Sequence, residues 1–270
     1  YNQFGIDRLI KKTNGMYAFS IYDKNKNQLI LSRDKIGKKP LYYYFDNEFF
    51  IWGSEIKIFK NSPILNKLKL NLNALDNFFK VGYIPNPLSI FEQINKVKPG
   101  ETIILDLKLL KKFTKRNFFI NKKNQLINNS IEDTIKDAVK IRTVSDVPYG
   151  VFLSSGTDST LVASILKDLK TKVSSFSIGI KDNKLIDEST DSKKIAKSLG
   201  LEHNELILSE SSLVDYFPKL ADVYGEPFAD TSQIPTLILS EFSKKKITVA
   251  LSGDGGDELF CGYNRYLYTL

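Results

Sequence analysis

Hydrophobic and polar positions follow two rhythms along this chain. Between residues 14 and 60 they alternate. Residues 15–22 read as a strand, 23–27 as a polar turn and 28–32 as the return strand. Residues 41–45, a turn at Asp46-Asn47, and residues 49–52 make another pair, so an antiparallel meander is predicted. Residues 74–79 look like a short helix. Residues 97–100 form a turn that leads into a strand ending at Asp106.

The rhythm changes after a polar stretch at 121–125. There Ser130 is placed to cap a helix whose Ile131, Ile135, Ala138, Val139 and Arg142 share one face. Strands are then predicted at 149–153, 175–180, 204–208 and 247–251. Helices are predicted at 159–169, 190–199 (stopped by Gly200), 213–223 (bent at Pro218) and 236–245. This alternation predicts a parallel sheet covered by helices on both faces. Ligands of such sheets bind beyond the carboxyl ends of the strands.

Two segments at predicted strand ends carry the chemistry. The run Val151-Phe-Leu-Ser-Ser-Gly-Thr-Asp-Ser-Thr160 passes from apolar residues into small hydroxyl residues, one glycine and one aspartate, and then opens a helix. A strand–loop–helix junction of this kind points backbone N–H groups at one spot beside the positive end of the helix dipole, which suits phosphate. Asp158 would repel phosphate unless a cation lay between them, so the implied ligand is a magnesium–nucleotide. The second segment, Ser252-Gly-Asp-Gly-Gly-Asp-Glu258, follows the apolar run 247–251. Its glycines allow close backbone approach to a ligand, and its three acidic residues call for a nearby cation. No Gly-x-x-x-x-Gly-Lys-Ser/Thr loop occurs, and the third glycine of a dinucleotide fingerprint is missing.

Composition narrows the classes. A length of 270 residues suggests two domains, and 42% hydrophobic residues supply cores for both. No apolar stretch approaches the roughly 18–20 residues that span a membrane, and no secretory leader opens the chain. The chain begins at Tyr1 and ends at Leu270 inside a helical pattern, so it reads as an internal fragment of a longer protein. The single cysteine, Cys261, excludes an internal disulfide, and a cytoplasmic location is expected. Cys261 itself reads as a buried inert thiol on a helix, and His203 as a surface residue at a strand edge. One histidine and one cysteine cannot build a structural zinc site. The net charge of +8 comes mostly from scattered lysines, which read as solvated faces rather than a nucleic-acid groove.

Over essentially its whole length the chain resembles glutamine-dependent asparagine synthetases. Residues 147–159 look like the family's pyrophosphate loop, 225–235 like its substrate segment, and 251–260 like its second metal loop. Residues 262–266 continue the match, and 32–43 resemble the back of its glutaminase domain. The resemblance implies an α+β remnant of an N-terminal-nucleophile glutaminase domain, with antiparallel sheets, over 1–120. After a linker at 121–129 it implies an α/β domain over 130–270, with a parallel sheet of the adenine-nucleotide α-hydrolase (PP-loop ATP pyrophosphatase) type. It further implies an AMP-forming ligase that uses ATP and Mg2+ to make asparagine from aspartate through a β-aspartyl-adenylate, with ammonia from glutamine. Magnesium would fall to Asp158 and Asp257, and pyrophosphate to Ser154, Ser155, Gly156, Thr157 and Ser159. Leu153, Ile178, Ser252 and Gly253 would meet the nucleotide, Asp254 would act on the adenylate, and Asp34 would grip the α-amino group of glutamine. The catalytic lysine would lie downstream of Leu270, so the resemblance implies a fragment nearly inactive by itself. The partners implied are these small molecules, without nucleic acid or membrane, and a homodimer is the assembly the resemblance allows.

Three departures stand out. Ser155 occupies the place of the family's first loop glycine: a left-handed backbone there would strain it, and an ordinary one would leave its hydroxyl for phosphate. Asp254 stands where the family's glutamate stands, one methylene shorter. The N-terminal nucleophilic cysteine is absent from this sequence. The first two keep open a ligase that amidates a sugar acid of surface polysaccharides, and Ser155 also a degenerate, non-catalytic module.

Overall fold

Alternation in the first half of the chain produces two antiparallel sheets rather than one meander. The computed structural model describes residues 1–46, 48–65, 67–109, 111–116, 130–170, 172–181, 188–264 and 266. The predicted linker at 121–129, Asn47 of the second turn and the chain end at Leu270 lie outside the described residues. The chain divides into two compact units. One comprises Tyr1–Asn124 with Lys219–Asp230, the other Gln125–Pro218 with Thr231–Leu270.

The first unit runs through α1 (Gly5–Lys12), β1 (Ala18–Asp23), β2 (Gln28–Arg33), β3 (Tyr42–Phe45), β4 (Phe50–Gly53), α2 (Lys57–Lys60) and α3 (Leu72–Val81). It continues with β5 (Ile94–Lys96), β6 (Glu101–Asp106) and β7 (Lys111–Arg116). The strand orders are β1-β2-β6-β7 and β4-β3-β5. The hairpins β1–β2 and β3–β4 form as predicted, but β2 takes β6 as its second neighbour, and β3 takes β5. Both choices bury apolar strands between two partners. Leu31 and Ile103, which face each other across β2 and β6, are fully buried. Beside them Ser32 and Thr102 share a buried hydroxyl–hydroxyl bond of 3.0 Å. Strand β7 is an addition to the predicted elements, because its sequence Lys-Lys-Phe-Thr-Lys-Arg is too polar to read as a strand. It lies at the sheet edge, where lysines discourage further pairing. Helix α3 starts on Asn71, whose side chain accepts from the Ala74 N–H, and stops at Gly82 at φ 82°.

The second unit contains α4 (Ile131–Ile141), β8 (Tyr149–Phe152), α5 (Thr157–Leu169), β9 (Ser174–Ile180), α6 (Ser189–Ser198), β10 (Glu202–Leu208) and α7 (Glu210–Val214). Beyond α8 (Leu220–Tyr224), which packs in the first unit, come α9 (Gln233–Ser243), β11 (Val249–Leu251) and α10 (Gly256–Phe260). The sheet is parallel with order β10-β9-β8-β11. Ser130 caps α4 as predicted, accepting from the Asp133 N–H. Helices cover both faces. Gly179 of β9 sits against Ser189 of α6, whereas Phe176, on the opposite face, meets Phe242 of α9 edge-on at 6.0 Å. Val151, Leu153, Ala163, Leu166, Ala196 and Leu251 share one core.

The single helix predicted at 213–223 is instead broken. α7 ends at Val214, a 3-10 turn spans Phe217–Lys219, and α8 follows. Pro218 has no N–H to donate and its ring crowds the preceding turn, so it breaks the helix rather than bending it.

Residues Lys219–Asp230 belong to the first unit although they stand far along the chain. Glu226 anchors them. Its carboxylate accepts from Lys96 Nζ (2.7 Å), the Tyr42 hydroxyl (3.1 Å) and the Ile90 N–H (2.7 Å). Lys96 also donates to the Ile84 carbonyl at 2.9 Å. The Ala229 N–H reaches the Gly82 carbonyl at 2.6 Å, and Gly225, at φ 73°, packs so closely on Ile56 that a Cβ there would meet it at 2.5 Å.

Candidate active site

Strand pairing brings the two acidic loops together. β8 and β11 are parallel neighbours in register, with Ala250 opposite Gly150 and Leu251 opposite Val151. The segments that follow them therefore leave the same edge of the sheet side by side. Both loops touch. A Cβ at Gly253 would lie 2.7 Å from the Ser159 backbone nitrogen and 2.9 Å from Asp158 Cβ. One at Gly256 would collide with the Asp158 carboxylate. Glycine at both positions is what lets the second loop close over the first turn of α5. Asp257, next to Gly256, is in the first turn of α10, and its carboxylate turns toward Gly262.

The pyrophosphate-loop candidates form an internally bonded turn. The Ser154 N–H donates to Ser159 Oγ at 3.1 Å, the two hydroxyls share a bond of 2.9 Å, and the Gly156 N–H donates to Ser154 Oγ at 3.1 Å. Gly156 is the N-cap of α5, and Thr157 and Asp158 lie in its first turn. Leu153 is buried, and its N–H donates to the Phe176 carbonyl. Ile178 is half-buried in β9 opposite Leu206. Ser252 donates its hydroxyl to Asp254 Oδ2 at 2.8 Å, which ties the two residues at the mouth of the second loop.

Ser155 has an ordinary backbone: the non-glycine residues with positive φ among those described are Asn27 and Cys261. Its hydroxyl is not free. Both its N–H and its Oγ–H donate to Glu188 Oε2, at 3.0 and 2.9 Å. No local pattern points to this contact, since Glu188 stands 33 positions away at the start of α6.

Asp34 lies in the other unit. It is 2% exposed, and its carboxylate accepts the N–H groups of Ile36, Lys38 and Lys39. Arg33 beside it spends its guanidinium on the carbonyls of Gly37, Lys39 and Val97 and on Asn86 Oδ1. Burial holds the Arg33 pKa below its ordinary value.

Two minor expectations change. Cys261 is exposed and caps α10 with φ 60°, so it is not a buried thiol. His203 does lie on the edge strand β10, but it is half-buried, its ring nitrogens 3.0 and 3.2 Å from the hydroxyls of Ser175 and Ser177. Burial keeps its pKa below the ordinary histidine value.

Among the described residues no group of three or more His, Cys, Asp or Glu side chains gathers as a metal cage. Magnesium does not need one, since it is held by one or two carboxylates together with substrate phosphates and water. Asp158 and Asp257 on adjoining loops fit that donor set.

Residues 130–270 match the asparagine synthase family, and residues 1–118 match the glutamine amidotransferase domain. Fold and matches together define a chain with an amidotransferase-type module followed by a synthase-type module. The chain belongs to the asparagine synthase family. It is 37% identical over 99% of its length to a Methanocaldococcus jannaschii protein provisionally named asparagine synthetase (glutamine-hydrolysing) 2, of which it covers 53%. It is 34% identical over 94% of its length to asparagine synthetase (glutamine-hydrolysing) 1 of Bacillus subtilis, of which it covers 40%. The chain thus spans about half the length of the curated relatives it matches. Among solved structures, an NH3-dependent NAD synthetase from Campylobacter jejuni is 22% identical with a TM-score of 0.35, covering 49% of this chain and 59% of that one. No helix among the described residues is long and apolar enough to cross a membrane.

Proposed function

We propose that this chain is part of a glutamine-hydrolysing, AMP-forming asparagine synthetase. The second unit is read as a PP-loop ATP pyrophosphatase domain, the first as part of an N-terminal-nucleophile glutaminase. One observation supports the reading: in a member of the asparagine synthase family, Asp158 of the first loop lies against Gly253 and Gly256 of the second, and Gly256 is followed directly by Asp257.

In the proposed reaction a β-carboxylate oxygen of aspartate attacks the α-phosphorus of ATP. The new O–P bond forms as the bond to the β-phosphate bridge breaks, and pyrophosphate leaves. Ammonia then attacks the acyl carbon, AMP departs, and the nitrogen loses a proton to give the amide. Magnesium, when bound, would neutralise phosphate charge at Asp158 and Asp257. Ser154, Ser155, Gly156, Thr157 and Ser159 would cradle pyrophosphate, with the α5 dipole behind them. Leu153, Ile178, Ser252 and Gly253 would hold the nucleotide. Asp254, oriented by Ser252, would act on the adenylate. Asp34 would receive the glutamine ammonium once its turn opens, because its carboxylate is buried within that turn.

The test is product identity. The full-length protein, given aspartate, glutamine and magnesium–ATP, should release AMP and pyrophosphate. Release of ADP and phosphate would refute adenylation. In this chain, Asp158→Ala should weaken magnesium-dependent ATP binding at least about a hundredfold while leaving the thermal midpoint unchanged.

A further inference from the structure

The Ser155 N–H is a donor the pyrophosphate loop would offer to ATP, yet a carboxylate already holds it. Glu188 Oε2 takes both the N–H and the hydroxyl of Ser155, at 3.0 and 2.9 Å. An anion seated on two donors of a phosphate loop imitates a phosphate oxygen. Both residues are exposed, so the contact is open to exchange. Ser155 makes the grip stronger than glycine would, because it adds a hydroxyl donor to the backbone one.

We propose that Glu188 is a displaceable gate on the pyrophosphate loop, a carboxylate that occupies the Ser155 donors and must leave when pyrophosphate arrives. The proposal rests on the ATP-binding reading above and adds a competitor built into the protein. Two effects act in the same direction. While seated, Glu188 competes for the donors; once displaced, its charge still repels the triphosphate. Removing the charge therefore tightens binding. A structural brace would do the opposite, since loosening the loop would weaken binding.

The experiment is isothermal titration of the 270-residue chain with magnesium–ATP and, separately, magnesium–pyrophosphate. Glu188→Gln should bind both about three- to tenfold more tightly, the range expected for losing a charge-assisted hydrogen bond at an exposed site. The advantage should shrink in high salt, as screening removes the repulsive part. Hydrogen exchange supplies a second readout. The Ser155 N–H should be protected in the free wild-type chain, exposed in Glu188→Ala, and protected again in both when magnesium–ATP is added. Unchanged or weaker binding by Glu188→Gln, with wild type binding magnesium–ATP and Asp158→Ala not, would overturn the gate and leave the ATP reading standing. A folded wild-type chain with no magnesium-dependent ATP binding would sink both.

Discussion

Glu226 and Glu188 are both glutamates that accept backbone N–H groups, and they teach opposite lessons. Glu226 is nearly buried and meets an ammonium, a phenol and an amide from three separate elements. No single movement frees it, and its departure would take the acceptor from the Tyr42 hydroxyl and the Ile90 N–H and the counter-charge from Lys96. Glu188 is exposed, and the two hydrogen bonds its carboxylate accepts among the described residues come from one residue. A single rotation releases it, and water or phosphate satisfies what it leaves. Burial and the number of independent partners, not hydrogen bonding itself, separate a carboxylate that holds the fold from one that attends a site.

The largest effect should come from breaking the structural member of the pair. Glu226→Ala strands Lys96 and Tyr42, and loss of one partner of a buried ion pair costs about 3–5 kcal/mol. Denaturant midpoints would read this, and hydrogen exchange at Ile90 should accelerate with it. If exchange at Ile90 stayed slow, the contrast with Glu188 would be lost. Replacing Lys96 by Met and Glu226 by Leu together should recover part of the stability, because the desolvation cost of both charges disappears while the Tyr42 hydroxyl and the Ile90 N–H still lack their acceptor.

A smaller effect is expected at the loop contact. Gly256→Ala pushes a methyl group into the Asp158 carboxylate, which must swing aside. Magnesium–ATP binding should weaken about tenfold, with little change in stability because the side chain displaced is flexible. A variant that bound normally would mean that the position of Asp158 is immaterial to the ligand.

The mildest test uses pH. Burial first, then the charge and hydrogen bond of Glu226, raises the Tyr42 pKa above its ordinary 10.0. A raised pKa contributes stability that is present below pH 10 and declines as pH climbs beyond it, because the unfolded chain then loses the proton first. Tyr42→Phe should flatten that decline by at most about 1.4 kcal/mol per pH unit. An identical alkaline slope in both chains would show that Tyr42 does not titrate differently on folding.

Much of the second unit was legible in the sequence because its strands are short apolar runs alternating with amphipathic helices, and a parallel sheet buries such runs on both faces. The two acidic loops announced themselves by glycine and aspartate at strand ends. Their mutual contact could be expected from topology, though which glycines made it could not. The first unit was harder. Local alternation predicts hairpins, but it does not say which hairpins share a sheet, and β2 chose β6 over the nearer β3. Strand β7 was hidden by its lysines. Glu188 and Glu226 were silent for a common reason: each acts through partners distant in the chain, 33 positions for Ser155 and 184 for Tyr42. No local pattern of charge or hydropathy records such pairings.

The late arrival of Lys219–Asp230 has a consequence for how the protein is made. A ribosome releases residues in order, so β3, β5 and the Lys96 ammonium emerge long before the carboxylate that neutralises it. Until Glu226 leaves the exit tunnel, the nascent first half holds a vacant berth, and its maturation waits on translation of much of its neighbour.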